Sequence, residues 1–210
     1  IFYLIFLRIK KAKASVSGPI NMYEYDVLEI AVPKVFDTEN NIQLASLAAE
    51  HMFASIHGLL KEDAKSQEHF SLEIVSDGTS GIKFYAIVPK NISKFLESQI
   101  YAQYPSCQIK PATDFSTTMT NPVQDVAYIT LTKEQFFPIK SFRDFESDPL
   151  AAITSALSEV NAKESVWFQL LIKPVPDTWQ KEGITYVNNI RNGLSNTKNP
   201  SLFSIFLGSV

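Results

Sequence analysis

The sequence is poor in cysteine and glycine, and both shortages exclude a class of chemistry. A single cysteine, Cys107, cannot form an internal disulfide, so the fold is not stapled by oxidation. The 7 glycines include no G-x-x-x-x-G-K-S/T sequence. The phosphate-binding loop of a nucleotide-hydrolysing enzyme is therefore absent from this chain.

The sequence also lacks a charge excess of either sign. Its 19 basic and 22 acidic residues give a formal net charge of -3, so the protein as a whole does not attract a polyanion electrostatically. With 210 residues and 45% hydrophobic side chains, the chain is long enough to bury a core without metals or disulfides. We therefore expect no direct contact with nucleic acid and no cofactor.

No cluster of residues has the spacing of a catalytic or metal site. His51 and His57 are six positions apart on one predicted helix, whereas side-by-side ligands need three or four. The densest acidic cluster comprises Asp144, Glu146 and Asp148. Carboxylates at this position serve as helix caps, or they act as acid-base and metal-binding groups in a small enzyme or ligand-binding protein. We predict no catalytic residue in this chain.

No apolar run reaches the length of about 20 residues that spans a bilayer. The chain nevertheless begins with IFYLIFL, which is followed by a basic group comprising Arg8, Lys10, Lys11 and Lys13. An apolar block with a basic flank is typical of the cytoplasmic end of a membrane anchor. We predict that residues 1–25 are the end of such an anchor with a membrane-proximal basic linker. A buried edge strand and the core of a signal peptide are the alternatives.

Residues 26–111 have the pattern of a ferredoxin-like β-α-β-β-α-β unit. Alternating apolar residues predict strands over 26–32, 70–76, 82–88 and 106–110, and helical spacing predicts helices over 42–60 and 92–104. Asn91 is predicted to cap the second helix. Cys107 is predicted to point inward as a small hydrophobe.

Both helices should cover one face of the predicted sheet. The polar residues expected on its exposed face are Glu29, Ser71, Glu73, Lys83 and Tyr85. Because Tyr85 is the only aromatic among these and two neighbours are acidic, this face is a poor platform for stacking RNA bases.

Residues 125–210 predict a second α+β unit that is related to the first or partial. Two strands are expected within 125–142, a helix capped by Asp148, a strand over 166–172, and a helix whose start carries Asp177 and Gln180 in the spacing of a capping box. The overall fold class is thus α+β. Four phenylalanines form a candidate interaction surface, with core packing as the alternative: Phe136, Phe137, Phe142 and Phe145.

Three segments carry a resemblance to a known family. They are GIKFYAIVPKNISKFLESQIYAQYP, FFPIKSFRDFESDPLAAITSALSEV and VWFQLLIKPVPDTWQKEG. In order and spacing they resemble the region before the motor domain in type IV secretion and conjugation ATPases of the FtsK/HerA class, especially those of candidate-phyla bacteria. The resemblance covers roughly residues 25–185.

The resemblance implies a membrane-anchored protein with a downstream hexameric P-loop ATPase. This chain would then be a non-catalytic assembly or positioning domain at the cytoplasmic face of the inner membrane. Its partners would be other subunits of the complex, or further copies of itself, and the N-terminus would contact the membrane. The alternative is a freestanding membrane-tethered binding or scaffold module.

Overall fold

The computed structural model describes residues 10–11, 24–33, 40–115, 125–141, 144–145, 148 and 150–193. These residues divide between two compact units. The larger unit is formed by Lys13–Val126 and Lys140–Val175. The smaller unit is formed by Ile1–Ala12, Ala127–Ile139 and Pro176–Val210.

The described part of the chain is an α+β fold with four helices and a five-stranded antiparallel sheet, which confirms the predicted class. The larger unit contains β2 (Tyr25–Ala31), α1 (Asn40–His57), β3 (Phe70–Ser76), β4 (Ile82–Pro89), α2 (Lys90–Gln103), β5 (Gln108–Pro111), α3 (Ala151–Ser158) and β7 (Val166–Ile172). The smaller unit contains β1 (Lys10–Lys11), β6 (Ala127–Tyr128) and α4 (Thr178–Arg191).

The strands of the larger unit lie in the order β5-β2-β4-β3-β7, and every neighbouring pair is antiparallel. β7 pairs with β3 along seven residues, from Val166 opposite Ser76 to Ile172 opposite Phe70. The strand predicted over 166–172 therefore forms, and it extends the sheet that β2 to β5 build.

The core lies between one face of this sheet and helices α1 and α2. Alternate residues of each strand point to this face because side chains in a strand have a period of two. The buried core residues are Leu28, Met52, Ile56, Phe70, Ala86, Val88, Leu96, Ile100 and Cys107. Burying each large apolar side chain contributes about 1.5–3 kcal/mol.

Cys107 is buried in this core, as the alternation of the sequence predicted. Its burial raises the pKa of the thiol, because the apolar surroundings disfavour the thiolate. The thiol therefore behaves as a small hydrophobe and is a poor nucleophile.

The predicted helix caps are wrong in detail. α2 starts directly after β4, with Pro89 at the cap position, and Asn91 donates a side-chain hydrogen bond of 2.9 Å to Glu68 instead. The N–H of Lys90, one of the backbone donors at this helix start, bonds to the carbonyl of Glu24 at 2.9 Å.

The two later caps also differ from the predictions. Asp148 accepts the N–H of Leu150 at 2.9 Å, which is before α3 begins, and Leu150 occupies the cap position. Asp177 is the N-cap of α4, but its side chain makes no capping hydrogen bond, so the predicted capping box does not form.

The predicted hairpin between β3 and β4 is confirmed, and Asp77 organises its turn. The Asp77 Oδ1 atom accepts the N–H groups of Thr79 at 2.8 Å and Ser80 at 2.7 Å. Together with the Ser80 hydroxyl, which is the largest cause, these bonds hold the pKa of Asp77 well below its usual range. Gly78 and Gly81 adopt positive φ angles of 70° and 76°.

The smaller unit contains one short strand pair, in which Lys10 lies opposite Tyr128 and Lys11 opposite Ala127. The prediction of two strands within 125–142 is therefore wrong beyond Ala127–Tyr128. The N–H of Phe137 bonds to the carbonyl of Glu134 at 3.1 Å, which closes a turn, and Pro138 has no N–H for a ladder.

Candidate interaction surface

The sheet face opposite α1 and α2 carries one row of polar side chains that crosses all five strands. The strand registers place Glu29 opposite both Lys110 and Tyr85, and they place Glu73 opposite both Tyr85 and Gln169. We call this set the polar row: Lys110, Glu29, Tyr85, Glu73 and Gln169. Its last member lies at the centre of β7, at one edge of the sheet.

The middle of the polar row is buried, whereas the sequence pattern predicted that it would be exposed. Glu73 is 1% exposed and Tyr85 is 7% exposed. Phe115, which follows β5, lies against Tyr85 with a ring separation of 4.7 Å and against Trp167 with a separation of 5.0 Å. These aromatic rings help to shield this face from solvent.

The Glu73 carboxylate is held by hydrogen bonds on one of its two oxygens. Its Oε1 atom accepts from the hydroxyl of Ser71 at 2.5 Å and from the side-chain amide of Gln169 at 2.7 Å. Its Oε2 atom is buried without a hydrogen-bond partner among the described residues. The bond from Gln169 to Glu73 orients the Gln169 side-chain amide at the edge strand.

Burial raises the pKa of the Tyr85 phenol, and the negative charge of Glu29 raises it further. The Tyr85 hydroxyl donates to the Glu29 Oε2 atom across 3.5 Å, which is a long hydrogen bond. Because the pKa in the fold lies above that of the unfolded chain, Tyr85 contributes stability that is complete below about pH 10. That contribution is lost as the pH rises through the pKa in the folded protein.

Replacing Glu29 by glutamine is expected to lower the pKa of Tyr85 toward the ordinary value of about 10, because a neighbouring negative charge is removed. The measurement is an NMR titration of the tyrosine ring carbons, with Tyr85→Phe to assign the signal. Glu97→Gln is the control, because Glu97 lies on α2 and pairs with Lys94. An unchanged Tyr85 pKa in Glu29→Gln would contradict the expected coupling.

A cleft of about 650 Å³ lies beside the polar row. Its charged lining residues are Glu29, Asp77, Lys83, Lys110, Lys163 and Glu164. Three cations and three carboxylates balance, so the cleft has no charge preference for an anion or a cation. Asp77 already accepts hydrogen bonds within its turn, and Glu164 accepts a 2.8 Å hydrogen bond from Asn161. The cleft therefore does not define a ligand.

β7 is an exposed apolar edge strand. Leu171 is 61% exposed, Leu170 is 49% exposed, and Val166 and Trp167 are also largely exposed. The strand VWFQLLI contains no charge and no proline, which are the devices that commonly keep edge strands from pairing with other chains. In the described residues no strand pairs with its outer side. This edge is the surface best suited to bind another polypeptide.

The described members of the predicted phenylalanine surface are divided between the two units. Phe136 and Phe137 are half-buried in the smaller unit, where each lies 5.3 Å from the ring of Tyr186 on α4. Phe136 also approaches Gly183, where an added Cβ would lie 3.2 Å away. Phe145 is 37% exposed in the larger unit, with the Lys140 ammonium 4.5 Å from its ring centre. Phe142 lies outside the described residues.

Two of the four predicted membrane-proximal basic residues lie outside the described residues. Arg8 and Lys13 are outside them, while Lys10 and Lys11 form β1. Among the helices that the structure describes, none has both the length and the apolar character needed to cross a bilayer.

The residues considered for chemistry have structural roles where they are described. Asp144 accepts hydrogen bonds from the backbone and hydroxyl of Ser141, while Glu146 lies outside the described residues. The ring of His57 bonds to the carbonyl of Val175 at 3.2 Å. Across the described ranges no group of three histidine, cysteine or acidic residues is arranged to hold a metal.

Sequence reasoning missed the importance of Gln169 and of the outer edge of β7. The signal was present, because a single polar residue stands at the centre of an otherwise apolar seven-residue strand. Its meaning depends on β7 being the last strand of the sheet, which the local pattern does not contain.

A family described as a domain of unknown function, DUF8128, matches residues 38–201, a region that includes all four helices and every strand of the five-stranded sheet except β2. No curated protein matches the chain, and no solved structure matches it. Because the matched region is more than half of the sequence, the chain belongs to the DUF8128 family.

Proposed function

We propose that this chain is a non-catalytic assembly domain of a membrane-anchored type IV secretion or conjugative-transfer ATPase, with the motor outside this chain. The observation that carries the proposal is the exposed, uncharged edge strand β7. Edge strands bind other chains by adding a strand to the sheet, which supplies backbone hydrogen bonds and side-chain contacts together. The resemblance to the pre-motor region of these ATPases supplies the class of partner.

We further infer that the larger unit is a ferredoxin-like unit extended by one strand. In that arrangement four antiparallel strands follow the order fourth, first, third, second, and two helices cover one face. The order β5-β2-β4-β3 and the shared core of α1 and α2 support this inference. β7 then comes from a second, partial α+β unit. Because it pairs with β3, the edge of the sheet that is open to further pairing is the apolar strand β7 instead of β3.

The proposed partners are other subunits of the secretion or conjugation complex. Two carboxylates in the polar row and a net charge of -3 favour a protein partner over nucleic acid. The basic residues near the N-terminus would place the domain at the cytoplasmic face of the inner membrane. Catalysis would belong to the motor, so this domain would set the position and spacing of its neighbours.

The first experiment is to determine the gene sequence beyond both ends of this chain. A transmembrane helix upstream and a P-loop downstream in the same reading frame are the expected result. A complete gene with neither would overturn the motor-associated role and leave a freestanding membrane-tethered scaffold.

The second experiment tests assembly in the complete protein with Leu171→Lys, which places a charge on the outer edge of β7. We expect at least a tenfold loss of assembled complex in detergent extracts, because a charged side chain on an edge strand disfavours the addition of another strand. Leu131→Lys is the matched control, since Leu131 is 59% exposed and Leu171 is 61% exposed. Equal assembly by the two variants would contradict a role for β7.

A further inference from the structure

The sequence of β7 is complementary to itself when it is read in opposite directions around Gln169. Val166 and Ile172 are equidistant from this centre, and so are Trp167 and Leu171, and Phe168 and Leu170. Each of these pairs joins two apolar side chains, and the central residue pairs with its own copy. A single off-centre charge or polar residue would destroy this symmetry.

We propose that the partner of β7 is a second copy of this chain, bound antiparallel across a two-fold axis at Gln169. The two five-stranded sheets then form one continuous sheet of ten strands. This inference rests on the proposed function as an assembly domain and names the first partner of its edge strand.

The geometry of antiparallel pairing selects this register. The two-fold axis is perpendicular to the sheet, so opposing residues must point to the same face, and the centre must be a residue of the strand. A centre at Phe168 would place Gln169 opposite Trp167, and a centre at Leu170 would place it opposite Leu171. Both alternatives shorten the ladder and bury an amide against an apolar side chain, which costs free energy.

The charges that flank β7 are compatible with the same register. Lys173 of one copy lies opposite Ser165 of the other, and Glu164 lies opposite Pro174. No like charges face each other, and like charges directly opposite would weaken a strand pair. The remaining charged residues of the polar row lie at least one strand away from the edge.

Gln169 connects the two polar rows across the axis. One N–H of its side-chain amide bonds to Glu73 at 2.7 Å. The second N–H and the amide oxygen are then available for the amide of the partner's Gln169. The polar row thus continues from Lys110 of one copy to Lys110 of the other, with the two glutamines at its centre.

The size of this contact predicts a dimer that dissociates on dilution. A seven-residue strand is about 23 Å long, and one strand pair buries less than the roughly 1,600 Å² of a standard stable interface. We therefore expect monomer and dimer to exchange in the micromolar concentration range.

Analytical ultracentrifugation of the whole 210-residue chain over a concentration series tests the proposal. The wild-type chain is expected to pass from monomer to dimer, and Leu171→Lys is expected to weaken the dimer at least tenfold. Leu131→Lys should dimerise as the wild type does. Circular dichroism of both variants confirms folding, which both are expected to retain because the two leucines are exposed.

Oxidative cross-linking tests the register. Directly opposed residues have Cβ atoms about 4.5–5.5 Å apart, so Gln169→Cys is expected to form a disulfide-linked dimer. In the same register the two copies of residue 171 lie about 13 Å apart along the strands, so Leu171→Cys should not cross-link. Cys107 is 5% exposed and serves as an internal non-reacting thiol.

Three results would overturn the proposal. The first is a chain that stays monomeric at the highest soluble concentration, including the case where hydrogen exchange shows β7 protected by another segment of the same chain. The second is a dimer that Leu171→Lys does not weaken. The third is a dimer that cross-links equally at positions 169 and 171. None of these results bears on whether a transmembrane helix and a P-loop are encoded next to this chain. Failure of the dimer proposal is therefore distinguishable from failure of the proposed function.

Discussion

Replacing Gly78 by alanine is expected to destabilise the larger unit by about 3 kcal/mol or more. Gly78 has a φ of 70°, which is the left-handed region that side chains disfavour. An added Cβ would also lie 2.1 Å from the carbonyl oxygen of Asn161 and 2.8 Å from the nitrogen of Ala162. These are backbone atoms, so no change of rotamer relieves the overlap, and one of the two segments must move.

Gly81→Ala separates the two causes. Gly81 has a φ of 76°, but an added Cβ there meets nothing within 4 Å. Its cost should be the backbone strain alone, about 1 kcal/mol. Urea denaturation followed by circular dichroism gives both free energies of unfolding. Equal losses for the two variants would contradict the close approach of residue 161 to the β3–β4 turn.

The same contact links the turn to the proposed interface. Asn161 precedes β7 by a few residues, so the approach of Gly78 fixes the path by which the chain enters the edge strand. Gly78→Ala should therefore increase hydrogen exchange in β7 more than Gly81→Ala does. This measurement reports on the segment itself, independently of the global free energy of unfolding.

Replacing Leu96 by alanine is expected to lower the free energy of unfolding by about 2–5 kcal/mol, because it opens a cavity in the main core. Leu96 is 1% exposed on α2 and packs in the cluster that includes Leu28, Val88 and Ile100. The surrounding strands and helices are fixed by their hydrogen bonds, so they can collapse into the space only in part.

Leu131→Ala is the control for this cavity. Leu131 is 59% exposed, so its truncation should cost less than about 0.5 kcal/mol. Both variants are compared by urea denaturation under the conditions used for the wild type. A loss below about 1 kcal/mol for Leu96→Ala would contradict the core assigned to α2.

Much of the larger unit could be predicted because its signals are local. The short apolar run VWFQLLI and the apolar spacing along residues 92–100 indicate a strand and a helix without reference to the rest of the chain. Alternation along the strands likewise placed Leu28, Ala86 and Val88 on the face that the helices cover, and all three lie in the core. Cys107 followed from that alternation and lies in the core.

The exposure of the second sheet face could not be predicted from the same signals. Glu73 and Tyr85 belong to the polar set of their strands, yet both are buried. Phe115, which is distant in sequence from β3, lies between the rings of Tyr85 and Trp167 and covers Tyr85. Such contacts join residues far apart in the chain, so no local period contains them.

The predictions of the helix caps were wrong for a related reason. Asn91 has the right residue type for a cap, but the chain passes from β4 into α2 without an intervening turn. The backbone N–H of Lys90 then finds the carbonyl of Glu24, which is 66 positions earlier. A partner supplied by the tertiary structure replaced the local side chain that the sequence favoured.

By itself the sequence determined the α+β class, the positions of the main strands and helices, and the absence of a P-loop from this chain. These depend on residue type and on short periods, which a linear pattern contains. The tertiary structure decided that β7 is the edge of the five-stranded sheet, that Phe115 packs against Tyr85 of the polar row, and that Gln169 ends the row at that edge. Those outcomes depend on which distant strands pair, because strand order arises from packing and from hydrogen bonds between separate parts of the chain.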